Sequence, residues 1–146
     1  MERAFIHIAD VPVQDTWKRL QANSEAVLID VRTKAEWAFV GVPDLSALGR
    51  HVVMVEWQSF PDGRVDAEFT GRVVAALAEA GTSSEDTLFF ICRSGGRSRK
   101  AAEAMAEAGF RHCINVAEGF EGPLDNNRHR GGVAGWKASG LPWVQG

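Results

Sequence analysis

The chain has 146 residues, 45% of them hydrophobic and 24% charged, and a formal net charge of −3 at pH 7. That length suits one domain with a real core, expected over residues 1–146. The mild negative charge gives no global attraction to nucleic acid, and no apolar run approaches membrane-span length, so neither partner is expected.

Elements alternate along the chain. Phe5-Ile6-His7-Ile8 reads as a short strand, and Asp10 is placed to cap the helix that carries Val13, Trp17 and Leu20 at helical spacing. Residues 26–29 form a continuous apolar run, the signature of a strand covered on both faces, closed by Asp30-Val31-Arg32. Thr33-Lys34-Ala35-Glu36 is a capping box for a short helix through about Phe39, ended by Gly41 and Pro43. Residues 44–50 fit a loop or one helical turn, residues 51–57 a strand, and Pro61-Asp62-Gly63 a turn.

A helix from about Asp66 to Gly81 would bury Phe69, Val73, Ala76, Leu77 and Ala80. Residues 87–91 form the next buried-type strand, residues 98–108 a helix ended by Gly109, and residues 112–116 a last strand. Beyond it lies a glycine-rich loop over 117–135, with a short helix expected around Trp136. Strands separated by helices imply an α/β fold: a mainly parallel sheet of about five strands with helices on both faces. Ligands bind such sheets beyond the carboxyl ends of the strands.

Cys92 sits at such an end. Gly95 and Gly96 leave amides unshielded and permit positive φ, so successive N–H groups can form an anion-holding nest. The helix that follows adds the positive end of its dipole. Arg93 and Arg97 add full charges suited to an anionic substrate, and Ser94 and Ser98 can donate to a sulfur anion. A thiolate, the reactive form of cysteine, is favoured by such surroundings. The plainer alternative is a core thiol before an ordinary β–α turn, but two adjacent arginines suit a core position poorly. Cys113, amid His112, Ile114 and Val116, reads as structural.

Met1-Glu2-Arg3-Ala4-Phe5-Ile6 lacks the apolar segment of a secretory signal, so a cytoplasmic location is expected. Two cysteines allow one disulfide by count, yet free thiols are the expectation in that compartment. The Cys and His residues lack zinc-site spacing, and neither metal nor cofactor is expected.

Cys92-Arg93-Ser94-Gly95-Gly96-Arg97-Ser98 resembles the Cys-Arg-x-Gly-x-Arg-Ser loop of single-domain rhodanese-like sulfurtransferases. Leu28-Ile29-Asp30-Val31-Arg32 with Glu36-Trp37, Asn115-Val116-Ala117-Glu118-Gly119-Phe120, and Gly135-Trp136 with Gly140-Leu141-Pro142 resemble further motifs of that family, in order. Gly41-Val42-Pro43 departs from its Gly-His-Ile-Pro pattern by lacking the histidine.

The resemblance implies double displacement: Cys92 takes a sulfane sulfur from thiosulfate or a persulfide donor and passes it to a thiol, small or protein-borne such as thioredoxin, or to cyanide. It implies sulfonate binding by Arg93 and Arg97, and a bracing role for Asp30 and Arg32, with direct substrate contact the lesser alternative. Arg32 and Glu36, four residues apart, suit a local ion pair. Trp37 suits core or rim packing. The longer ending over 121–133 could be a solvated loop, a lid or a docking surface, with His129 a remote acid–base candidate. Two rival readings stand beside this one. The first is a non-catalytic rhodanese module for interaction or regulation, although such modules commonly lose the cysteine. The second is a small cysteine phosphatase or arsenate reductase, disfavoured because related phosphatases place arginine one residue later, where this chain has Ser98. The oligomeric state is left open.

Overall fold

The structure, a computed structural model, describes residues 7–145. In chain order its elements are β1 (Ala9–Val11), α1 (Val13–Ala22), β2 (Val27–Asp30), α2 (Lys34–Val40), β3 (Val42–Pro43), a 3-10 turn (Ser46–Leu48), β4 (Val53–Met54), α3 (Phe69–Glu79), β5 (Thr87–Ile91), α4 (Gly96–Glu107), β6 (His112–Val116) and β7 (Trp143–Val144). The main sheet runs β1-β6-β5-β2-β4, and all its pairings are parallel.

The central strands β2 and β5 are apolar between Thr87 at the start of β5 and Asp30 at the end of β2, because both of their faces are covered. From β5 onward, Leu88, Phe90 and Cys92 point into a core with Phe69, Val73 and Leu77 of α3 and Ala101, Ala102 and Met105 of α4. Phe89 and Ile91 point the other way, to Val13 and Leu20 of α1 and to Phe120 and Trp136. Each buried Leu, Val, Ile, Phe or Met side chain among them contributes about 1.5–3 kcal/mol of transfer free energy. The expected α/β fold, a parallel five-stranded sheet with helices on both faces, is present.

Several local expectations are corrected. The strand expected over 5–8 lies partly outside the described residues; His7 and Ile8 are not strand, and β1 begins at Ala9. Asp10 does not cap α1, whose N-cap is Pro12 without a side-chain bond; it reaches instead toward β6. The strand over 51–57 shrinks to β4, an edge strand with β2 as its one neighbour, although the Val55 and Trp57 amides still donate to Asp30 and Val31 carbonyls at 3.1 and 3.0 Å. α3 begins three residues late because Asp66 makes a turn, its side chain accepting from the Glu68 amide and its carbonyl from the Phe69 amide. No helix forms around Trp136, where the chain makes consecutive turns, but Trp136 is fully buried, with its Nε1 donating to the Pro142 carbonyl at 2.6 Å. The antiparallel pair β3–β7 was not anticipated. No helix among the described residues is long and apolar enough to cross a membrane.

Candidate active site: the Cys92 loop

β5 ends at Ile91, α4 begins at Gly96, and the loop between them folds back on its own cysteine. Gly95 takes φ +106 at the N-cap of α4, a conformation that side-chain-bearing residues rarely adopt. That twist turns the Gly95 amide onto Cys92 Sγ at 3.1 Å, and Ser98, one turn into the helix, brings its Oγ to 3.2 Å from the same sulfur. Cys92 is 1% exposed, as buried as the apolar residues around it. Its sulfur nevertheless meets two hydrogen-bond donors beside the N-terminus of α4, partners that the apolar side chains around it do not have.

Ser98 is itself held from behind. Asn115 of β6 spends both amide protons, on Asp10 Oδ1 at 2.9 Å and on the Gly95 carbonyl at 3.1 Å. This fixes its Oδ1 toward Ser98 Oγ, 2.5 Å away. The serine hydroxyl therefore has one proton for two acceptors, Asn115 Oδ1 and Cys92 Sγ. With a neutral thiol the S–H can donate to Ser98 while Ser98 donates to Asn115. An anionic sulfur draws the serine proton to itself. Asp10 in turn pairs with Arg99 of α4, closing the network across three elements.

The segment after β6 supplies the other support. Phe120 donates its amide to the Cys92 carbonyl at 2.8 Å, and Glu121 and Gly122 donate theirs to the Arg93 carbonyl at 3.0 and 3.1 Å. These bonds satisfy the Cys92 and Arg93 carbonyls, while the Gly95 amide meets the sulfur. Gly119 makes the approach possible: with φ +68, a Cβ there would lie 2.4 Å from the Cys92 carbonyl oxygen and 2.6 Å from that of Arg93.

Arg97 does not stand free. Its two terminal nitrogens donate to the two oxygens of Glu36 at 2.6 and 2.9 Å, a bidentate pair between α4 and α2. Burial pushes the Glu36 carboxyl up, but the Arg97 hydrogen bonds and charge, with donors from Thr33, outweigh it and hold it below the usual carboxylate range. The bond to Glu36 raises Arg97, against burial, and the nearby Cys92 and Asp30 raise it further. The pairing of Glu36 with Arg32 expected from their spacing does not form. Glu36 closes the capping box on Thr33 and faces Arg97, whereas Arg32 turns back on Asp30.

Asp30 and Arg32 are both fully buried, with Arg32 Nη2 donating to Asp30 at 2.7 Å and to the Gly41 carbonyl at 2.8 Å. The guanidinium lies 4.3 Å from the Phe120 ring centroid, and its Nη1 has no hydrogen-bond partner. Removing one partner of such a pair strands a buried charge, at about 3–5 kcal/mol. The pair thus joins β2, the end of α2 and the segment that carries Gly119.

Arg93 and Arg97 both line a cleft of about 610 Å³ beside the loop, together with Glu36, Phe60, Leu124 and Arg128. Arg93, Ser94 and Gly96 are exposed, and Gly95 and Arg97 half-buried. The 121–133 segment is packed onto the loop through the Arg93 carbonyl, while His129 is exposed and lies outside the cleft lining. Trp37 is half-buried, its buried Nε1 without a partner. Both cysteines are free, and among the described residues no group of three or more His, Cys, Asp or Glu could hold a metal. Sequence reasoning missed the roles of Glu36, Asp10, Asn115 and Gly119. For Glu36, Asn115 and Gly119 the signals were present in the Glu36-Trp37 and Asn115–Gly119 motifs, but each partner lies on a distant segment.

Comparison with known proteins bears on the family and the fold. The family model described as the STR4 middle domain matches residues 9–146. Uncharacterized protein RC0915 of Rickettsia conorii is 35% identical over 124 residues, covering 85% of this chain and 87% of its own. Rhodanese-like domain-containing protein 4 of Arabidopsis thaliana, chloroplastic, is 25% identical over 132 residues, which cover 90% of this chain and 25% of that protein. Among solved structures, Rv0390 from M. tuberculosis superposes with a TM-score of 0.84 at 48% identity, covering 97% of this chain and 100% of that one. The polysulfide-sulfur transferase homodimer from Wolinella succinogenes shares the fold, with a TM-score of 0.59 at 23% identity over 95% of this chain and 80% of its own. The chain therefore belongs to the STR4 middle-domain family, on a rhodanese-like fold.

Proposed function

We propose that the protein is a sulfurtransferase that carries a sulfane sulfur as a persulfide on Cys92. The observation that carries this reading is the sulfur's setting: buried, yet met by the Gly95 amide at 3.1 Å, the Ser98 hydroxyl at 3.2 Å and the N-terminus of α4. Such fixed donors stabilise negative sulfur without reorganising as charge moves.

The proposed first step starts from the Cys92 thiolate. It attacks the outer, sulfane sulfur of thiosulfate; the S–S bond of the donor breaks, and sulfite leaves with the electron pair. Cys92 then carries a persulfide anion, and total charge is conserved. Arg93, exposed at the cleft wall, is the first contact for the departing sulfonate, and Arg97 adds the N–H groups that Glu36 does not occupy. In the second step an acceptor thiolate, or cyanide, bonds to the outer sulfur and the electron pair returns to Cys92.

Incubation with thiosulfate followed by intact mass measurement tests the reading. One added sulfur is expected, removed by cyanide as thiocyanate. Protein that gains no sulfur from thiosulfate or from a low-molecular-weight persulfide overturns it.

A further inference from the structure

The cleft beside the Cys92 loop is far larger than a trioxo anion needs. At about 610 Å³ it has the size of a site for a drug-sized molecule or a peptide segment. Its charge is one-sided. Arg93, Arg97, Arg128 and Arg130 face Glu36 and Glu121, and Glu36 is already committed to Arg97. None of the ion pairs found among the described residues involves Arg93, Arg128 or Arg130. A chain with net charge −3 thus keeps a local positive wall next to its reactive loop.

The same cleft carries apolar surface that serves no fold. Phe39 at the end of α2 is 80% exposed, Phe60 in the 58–65 hairpin 69%, and Leu124 in the 121–133 segment 49%. Three segments distant in sequence converge here, and each offers a large apolar side chain to water. Arginine and aromatic side chains together are the composition of a protein interface, not of a solvated rim. A small thiol would engage the Cys92 loop and leave these side chains wet.

Resting on the sulfurtransferase reading, we infer that this cleft docks an acidic segment of a partner protein that presents the acceptor cysteine, with apolar residues beside it. Carboxylates of the segment meet Arg93, Arg128 and Arg130, and its apolar residues cover Phe39, Phe60 and Leu124. The docked thiolate then bonds to the outer sulfur of the Cys92 persulfide, the Sγ–S bond breaks, and its electron pair returns to Sγ. The partner leaves as the persulfide, and no oxidant or reductant enters.

The test uses Cys92 persulfide prepared with thiosulfate and freed of excess donor. Four acceptors are compared: cyanide, glutathione, a synthetic peptide with one cysteine among Asp, Glu and Leu, and the same peptide with Asn and Gln in place of the acids. The acidic peptide is expected to discharge the persulfide roughly tenfold faster than the neutral one, with the advantage shrinking as salt rises. Arg128→Glu and Phe60→Ser, both at exposed positions, should each lower the ratio of the acidic-peptide rate to the cyanide rate severalfold. Equal peptide rates, a ratio unmoved by both substitutions, or glutathione as fast as the acidic peptide overturns the docking proposal. Discharge by cyanide in those cases leaves the sulfurtransferase reading standing; failure to load Cys92 at all removes both.

Discussion

Cys113 lies in β6 and Cys92 just past the end of the neighbouring β5, both in the same core cluster, yet their sulfurs have opposite surroundings. Cys113 is paired in register with Leu88, four residues before Cys92, so the two thiols stand roughly 13 Å apart along the strands. Both are buried in one core cluster. At the amino end of β6, Cys113 Sγ finds the Phe110 carbonyl at 3.5 Å, an acceptor, and burial pushes its pKa up to about 12. At the carboxyl end of β5, Cys92 Sγ finds an amide, a hydroxyl and a helix N-terminus. Burial alone therefore separates nothing; the polarity of the nearest partners does. A parallel sheet makes this contrast systematically, because every loop after a strand leads toward a helix N-terminus at one end of the sheet.

Exchanging the cysteines gives the largest effect. Cys92→Ala should abolish sulfur uptake from thiosulfate, whereas Cys113→Ala should retain it and lose about 1 kcal/mol of stability. Intact mass after thiosulfate treatment and a denaturation curve read the two outcomes. Sulfur found on Cys113 in the Cys92→Ala protein would break the comparison at its root.

Next in size is Gly119→Ala, which tests whether the loop is held by the segment after β6. The new Cβ would sit 2.4 Å from the Cys92 carbonyl oxygen, at a φ of +68 that costs a side-chain-bearing residue about 1–3 kcal/mol. The loop carbonyls and the Phe120, Glu121 and Gly122 amides must then separate. Uptake should fall by two orders of magnitude or more, about 2.7 kcal/mol in the barrier. Near-normal uptake would show that the loop keeps its shape without that support.

A smaller loss, about tenfold, is expected for Ser98→Ala, which removes one donor worth about 1.4 kcal/mol to an anionic sulfur. Asn115→Ala leaves the hydroxyl but unties it, so Ser98 can give its proton to sulfur without competition. The rate of Cys92 alkylation by a small reagent, measured at one fixed pH, should move in opposite directions in the two variants, falling in Ser98→Ala and rising in Asn115→Ala. Movement in the same direction would show that Asn115 merely supports the fold.

How much of this could be read from the chain depends on the range of each interaction. The strands around Leu28 and Phe89 were legible because a strand buried on both faces must be apolar throughout, and the Thr33–Glu36 capping box because it is local. Within the site, the Cys92–Ser98 spacing already implied a nest and a helix start. What stayed hidden was pairing across the chain. Glu36 has two arginines to choose from, and its choice of Arg97, 61 residues away, depends on where the fold sets the start of α4. Asp10 has cap chemistry but finds Asn115, 105 residues on, because β1 lies beside β6. The two-residue strands β3 and β7 are too short to carry a periodicity.

The smallest effect separates stability from chemistry at Arg97. Glu36 has a folded-state pKa below its ordinary value of 4.5, so the stability it contributes is fully present above that value and is lost as pH falls through the lower folded-state one. Glu36→Gln should therefore destabilise the protein at neutral pH, by about 1 kcal/mol for a half-buried bidentate pair, and the difference from wild type should vanish in acid. The same substitution frees the two Arg97 nitrogens that Glu36 occupies. If Arg97 contacts the donor's sulfonate, the variant should use thiosulfate with a lower KM even as its thermal midpoint drops. A lower midpoint with KM unchanged would make Arg97 a strut between α4 and α2 and leave the sulfonate to Arg93, so that Cys92 differs from Cys113 by its amide and hydroxyl donors and one arginine, not two.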